Sequence, residues 1–150
     1  MSISADDTTG RAKVGRIVVG VDGSAEARRA LAWAAHQAEV TGASLETVMA
    51  WEIPAMIFGP VVWPEGFDPR TDAGRLLDGE IEAVLGSAPT IALSAVVEEG
   101  QAASVLHRAA EGADLLVVGS RGRGGFAGLV IGSVSEHLAA HAPCPIVIIH

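Results

Sequence analysis

The chain has 150 residues, 49% of them hydrophobic and 19% charged. That is one ordinary domain with enough apolar mass for a core, and it excludes a disordered chain. Asp and Glu number 18 against 10 Lys and Arg, a net charge of −8, which argues against nucleic-acid binding through a basic face.

Residues 1–15 are polar and without period, and are expected to form a flexible N-terminal tail before a single domain over 16–150. Arg16-Ile17-Val18-Val19-Gly20-Val21 is a continuous β-branched run, the pattern of a strand buried on both faces. It stops at Asp22-Gly23-Ser24, where Ser24 is suited to cap a helix. In that helix Ala27, Leu31, Ala34 and Ala38 form one apolar stripe, and Gly42 ends it. Leu45 to Trp51 reads as the second strand. Glu52 to Gly74 holds four prolines and no clear period, as expected of a lid, a binding loop or disorder. A helix carrying Leu77, Ile81, Val84 and Leu85 follows, then a strand over Ile91 to Val97 and a helix over Gln101 to Glu111. Leu115 to Val118 is a fourth strand, Ser133 to Ala142 a short helix and Ile146 to Ile149 a last strand.

Strands alternating with helices imply parallel strands joined by right-handed crossovers. The fold class is therefore α/β: an open, doubly wound, five-stranded parallel sheet with helices on both faces, Rossmann-like. Such a sheet binds its ligand outside the carboxyl ends of its strands, where the strand order reverses. The loops after strands one, two and four are the candidates.

The segment from Gly119 to Ile131 leaves a buried strand and ends at a helix start. Glycines there let backbone N–H groups converge on an anion, phosphate above all, and the helix start adds its own donors. A Walker A loop requires a loop lysine, and the one lysine is Lys13. Gly122, Gly124 and Ala127 fit the dinucleotide fingerprint, but they follow the wrong strand and no acidic residue closes a next strand ~20 residues on. Gly119, Gly122, Gly132 and Ser133 meet a third pattern, Gly-x2-Gly-x9-Gly-Ser, at every position.

With Val21-Asp22-Gly23-Ser24 after strand one and Ala142-Pro143-Cys144-Pro145 before the last strand, this loop makes the chain resemble the universal stress protein family, in its single-domain, ATP-binding branch. The resemblance covers about residues 16–149. It implies an ATP site at the strand ends. Gly119, Gly122, Gly132 and the Ser133-Val134-Ser135 turn would hold the phosphates, and Gly20, Val21 and Asp22 would line the end of strand one. Asp22 would meet the ribose and Mg2+, and Ala50 would offer its backbone to the adenine. The implied role is a nucleotide-dependent sensor or regulator of a stress response acting on a downstream protein. The alternative is a slow Mg-dependent ATPase or phosphotransferase; there is no loop Lys, no loop Glu or Gln, and no Gly-x-Ser-x-Gly elbow.

Several residues have two readings. Ser133-x-x-Glu136 is also a capping box, so its hydroxyl has a helix to cap. Asp22 is also an ordinary residue before a turn glycine. Arg121 and Arg123 either reach phosphate oxygens or extend into solvent. Trp51, at a strand end, either packs the core or pads an adenine, and Trp33 lies off the apolar stripe. His137 and His141 are spaced i, i+4 but read as partners of a helix C-terminus before a metal pair. The single cysteine, Cys144, permits no internal disulfide and reads as a small buried residue. No apolar run reaches the ~18 residues of a membrane helix, and the first fifteen residues lack the apolar core of a signal peptide, so a cytoplasmic location is expected. The last strand, Ile146–Ile149, is apolar on both faces, unguarded by charge and expected at a sheet edge. An edge of that kind fits a homodimer, and the resemblance implies one through this strand.

Overall fold

A computed structural model describes residues 15–53, 63–122 and 131–150. The expected tail lies outside the described residues but for Gly15, as do Arg123, Gly124, Ala127 and the middle of the Pro-rich insert. The elements run β1 (Arg16–Gly20), α1 (Ala25–Thr41), β2 (Ser44–Trp51), α2 (Pro69–Leu85), β3 (Leu93–Glu99), α3 (Ala102–Ala110), β4 (Leu115–Gly119), α4 (Ser133–His141) and β5 (Ile146–Ile149). The strands form one parallel sheet in the order β3-β2-β1-β4-β5. This is the doubly wound α/β sheet expected from the alternation of elements.

The β-branched runs are buried on both faces because each face carries its own helix pair. Ile17, Val19, Leu45, Met49 and Val117 pack with the alanine stripe of α1 and with Leu77 of α2. Val18, Val48, Leu116 and Val118 face the other way, onto Val105 and Leu106 of α3 and Leu138 of α4. Leu31, Leu45, Leu77, Leu116 and Leu138 are fully buried, each worth about 1.5–3 kcal/mol against exposure. Trp33, expected off the stripe, is half-buried and packs against the first of these cores from the shoulder of α1.

Local signals set the helix ends. Ser24 Oγ accepts from Ala27 N at 3.2 Å, and Gly42 closes α1 in the left-handed region with φ 72°. The insert is shorter than its prolines suggested. α2 begins at Pro69, with Asp68 as a cap that accepts from Arg70 N, Thr71 N and the Thr71 hydroxyl. Asp-Pro is a cap followed by a first-turn proline, although both residues fall inside the stretch whose prolines read as loop. Across the helix pair, Glu80 of α2 is buried and receives Arg28 Nε and Nη2 of α1 at 2.6 and 2.8 Å.

Four strands differ from expectation at their ends: β2 begins one residue earlier, at Ser44, and β4 runs one residue further, to Gly119. β1 ends at Gly20, one residue short of Val21. β3 runs two residues later than the apolar run, because its pairing with β2 continues through Ala50↔Glu98 and Trp51↔Glu99. Those glutamates sit on an outer strand, where charge is tolerated and guards the edge. β5 is the outer strand on the opposite side, as the winding rule required.

If Ser24 caps α1, Ser24→Ala removes one satisfied first-turn donor. We expect a stability loss of about 1 kcal/mol, read as a lower urea midpoint at unchanged m-value.

Candidate functional site

The strand order reverses between β1 and β4. From β1 the chain winds outward to β3, then returns across the sheet to β4, so the loops at their carboxyl ends diverge and leave a crevice. A cleft of about 530 Å³, open mouth included, lies there. Of the residues expected at the site, it is lined by Gly20, Val21, Asp22, Ala50, Gly119, Arg121, Gly122, Val134 and Ser135. Gly132 and Ser133 stand next to it but do not line it. Its remaining walls are Ala27, Val48, Ala102, Leu106 and Val118. No motif marks these apolar residues. They are core side chains that happen to end at the cleft, and Ala102 adds the start of α3 to the loops expected from sequence.

None of Gly119, Gly122 and Gly132 has positive φ. They are glycine for space rather than conformation. A Cβ on Gly119 would sit 2.8 Å from the main-chain carbon and the Cβ of Glu26 and 2.9 Å from Ala27 N. This glycine lets the first turn of α1 press against the end of β4. A Cβ on Gly122 would sit 2.7 Å from Asp22 Oδ2, so Gly122 makes room for that carboxylate. At Gly132 the nearest atoms are 3.4 Å away, ordinary contact. The loop closes at its stem: Gly132 N donates to Ser120 O at 2.5 Å, and Ser120 N donates to Ile149 O at 2.7 Å.

The polar groups divide sharply by role. Asp22 Oδ1 accepts from Ser24 N at 2.9 Å, an Asx turn that holds the carboxylate at the end of β1. Arg121 Nη2 donates to Glu26 Oε1 at 3.1 Å. Glu26 also lies 3.5 Å from Arg29 Nη2, and Arg29 Nε donates to the His150 carbonyl at 2.9 Å. Ser135 is buried, and its hydroxyl donates to Gly119 O at 2.5 Å, tying α4 to the end of β4. A hydroxyl has one proton, so Ser135 keeps only acceptor capacity toward the cleft. Ser133 is exposed, and the capping-box expectation fails there. The cap of α4 is Gly132, with φ −81° and ψ 163°, and no side chain bonds to it. The helix starts one residue earlier than the Ser-x-x-Glu pattern implied, which puts Ser133 inside its first turn.

Trp51 is on the wrong face to pad a ligand. Side chains alternate along β2, and Val48 and Ala50 line the cleft, so Met49 and Trp51 point to the other side. Its buried Nε1–H has no acceptor among the described residues. Cys144, expected to be buried, is half-buried against the α3–α4 side, and that burial pushes its thiol above the ordinary range. The His137 and His141 rings are 4.7 Å apart on the exposed side of α4. Among the described residues no group of three or more His, Cys, Asp or Glu could hold a metal. Also among the described residues, no helix is long and apolar enough to cross a membrane.

The family model for the universal stress protein family matches residues 13–150. Universal stress protein Rv2623 of Mycobacterium tuberculosis is 34% identical over 133 residues, covering 88% of this chain and 44% of that protein. The chain thus spans a little under half the length of that relative. A universal stress protein of Thermus aquaticus is 34% identical over 135 residues, covering 89% of this chain and 96% of that protein. Among solved structures, a universal stress protein in complex with cAMP superposes with a TM-score of 0.68 at 25% identity, covering 91% of this chain and 97% of that one.

The two outer glycines of the motif separate in their consequences. Gly119→Ala drives a Cβ into α1 backbone and should cost about 1–3 kcal/mol of stability, the usual range for overpacking. Gly132→Ala meets only ordinary contacts and should unfold within about 0.5 kcal/mol of wild type. Paired denaturation curves check both.

Proposed function

The chain belongs to the universal stress protein family, and from that premise we propose that its cleft binds ATP with Mg2+ and that occupancy acts as the signal of a stress-response sensor or regulator. One observation carries the reading: a cleft at the strand reversal joins an apolar floor (Val48, Ala50, Leu106, Val118) to a glycine-bearing wall (Gly119, Gly122) faced by Asp22. The floor suits a purine ring. The wall has no side chains at its glycines and brings backbone close to a phosphate chain. The cAMP complex of a related protein supports the class of ligand, since cAMP carries the same base and sugar with one phosphate. Magnesium would be held by Asp22 together with ligand phosphates. When bound, it offsets the charge of the triphosphate. Gly132 and Ser133, outside the cleft wall, would act through the N–H groups of the α4 start.

Among the described residues the cleft lining contains no Lys, Glu, Gln or His to position a water or stabilise a leaving group. The proposed role is therefore occupancy rather than turnover. We expect calorimetry to show ATP binding that Asp22→Ala weakens by roughly tenfold or more, the loss of a charged hydrogen-bond partner, alongside a stability loss of about 1 kcal/mol for the Ser24 N–H it leaves unpaired. Steady-state hydrolysis is expected far below the ~1–100 s⁻¹ of kinases. Wild-type affinity in Asp22→Ala would remove the aspartate from the site. Fast release of ADP would make the protein an enzyme.

The same reading includes a homodimer through β5. Pro145 and Ile149 carbonyls accept from β4 and its following residue, so the odd positions bond inward and the backbone groups of Ile146 and Ile148 face away from the sheet. All four residues of β5 are half-buried, with Val147 and Ile149 packed on one core and Ile146 and Ile148 on the other. Sedimentation at micromolar concentration should give a dimer. Ile148→Pro removes an outward N–H without breaking the bonds to β4, and should shift the protein toward monomer. A monomeric wild type would reject this interface.

A further inference from the structure

Glu26 belongs to no motif and does not line the cleft. It nevertheless controls a cation that does. Its carboxylate takes Arg121 Nη2 at 3.1 Å, and its side chain is 15% exposed against 45% for Arg121. The acid is the more buried member of the pair and the arginine the more exposed. The position of Glu26 is set by packing, since its main chain and Cβ rest against the site where Gly119 lacks a Cβ. The loop glycine and the α1 acid are thus two halves of one contact. The N–H of the first helical turn and the two arginines hold the Glu26 carboxyl below the ordinary range, so it stays ionised at neutral pH.

We propose that Glu26 sets the charge selectivity of the cleft by competing with ligand phosphate for Arg121. The proposal rests on the nucleotide reading above. The described charged side chains at the phosphate wall are Asp22, Glu26, Arg121 and Arg29, two anions and two cations, with both arginines paired to Glu26. A free triphosphate gains Arg121 only by taking it from Glu26. A nucleotide with fewer charges gains less from that exchange, and a triphosphate carrying Mg2+ is already partly neutralised. When phosphate takes Arg121, Glu26 is not left alone. Arg29 lies 3.5 Å away on the same helix, and Arg29 is itself anchored to the His150 carbonyl. Glu26 keeps its Arg29 partner when Arg121 leaves, so the exchange does not strand the carboxylate.

Calorimetric titration of wild type and Glu26→Gln with adenosine, AMP and ATP, with and without Mg2+, tests this. Thermal unfolding of both proteins confirms that the variant folds. Glu26→Gln should tighten magnesium-free ATP by about three- to fivefold, the range of an exposed ion pair. AMP should gain less and adenosine nothing, and ATP should depend less on Mg2+ than in wild type. In an Arg121→Gln background the gain from Glu26→Gln should shrink, because the contested cation is gone. A uniform shift of all three ligands, no shift, or an unchanged gain without Arg121 would overturn the selectivity role while leaving the nucleotide site standing. If neither AMP nor ATP binds wild type or variant, the nucleotide reading itself fails and the inference falls with it.

Discussion

Right-handed crossovers leave few ways to lay five parallel strands in the order β3-β2-β1-β4-β5. Winding outward from β1 puts α1 and α2 on one face. Returning to β4 and on to β5 puts α3 and α4 on the other. Every later feature follows from that reversal. It makes two cores instead of one, it buries β1 and β4 from both sides, and it parts the loops after them. The crevice is a by-product of topology, and the residues around it are those that tolerate being where strands end.

What the chain shows in sequence and what it hides divide along the same physical line. Period and punctuation reveal elements whose signals are local. The Ile17–Val19 run, the α1 alanine stripe and the Gly42 stop are of this kind. So are the four residues of β5, whose bounds agree with the structure. The start of α2 was hidden because Asp68-Pro69 resembles loop chemistry until the helix beyond it is seen. The end of β3 was hidden because charged residues in an outer strand look like a loop. Of the cleft lining, Asp22, Gly119 and Gly122 were visible by place and pattern, and Ala50 only through the family resemblance. The floor of Leu106 and Val118 was not, since an apolar side chain lining a cleft has the same sequence signature as one in a core.

The glycines of the loop correct a habit of reading. Such residues are usually credited to the ligand, as hinges or as room for phosphate. Here Gly119 is already required by α1, and Gly122 by Asp22, before any ligand arrives. A single motif therefore serves the packing of the protein and the shape of its cleft. The roles of Ser135 and Ser133 divide in the same way. One hydroxyl is committed to holding α4 against β4, and the other is exposed on the first helical turn.

The stem clasp beneath the loop has a wider meaning. Gly132 bonds to Ser120, and Ser120 bonds to the last residue of β5, so the two ends of the intervening segment are fastened to the sheet independently of what lies between them. The strand ends that frame the cleft are thus held by main-chain bonds at the stem, and Arg121 and Gly122, which line the cleft, follow directly from that anchored point.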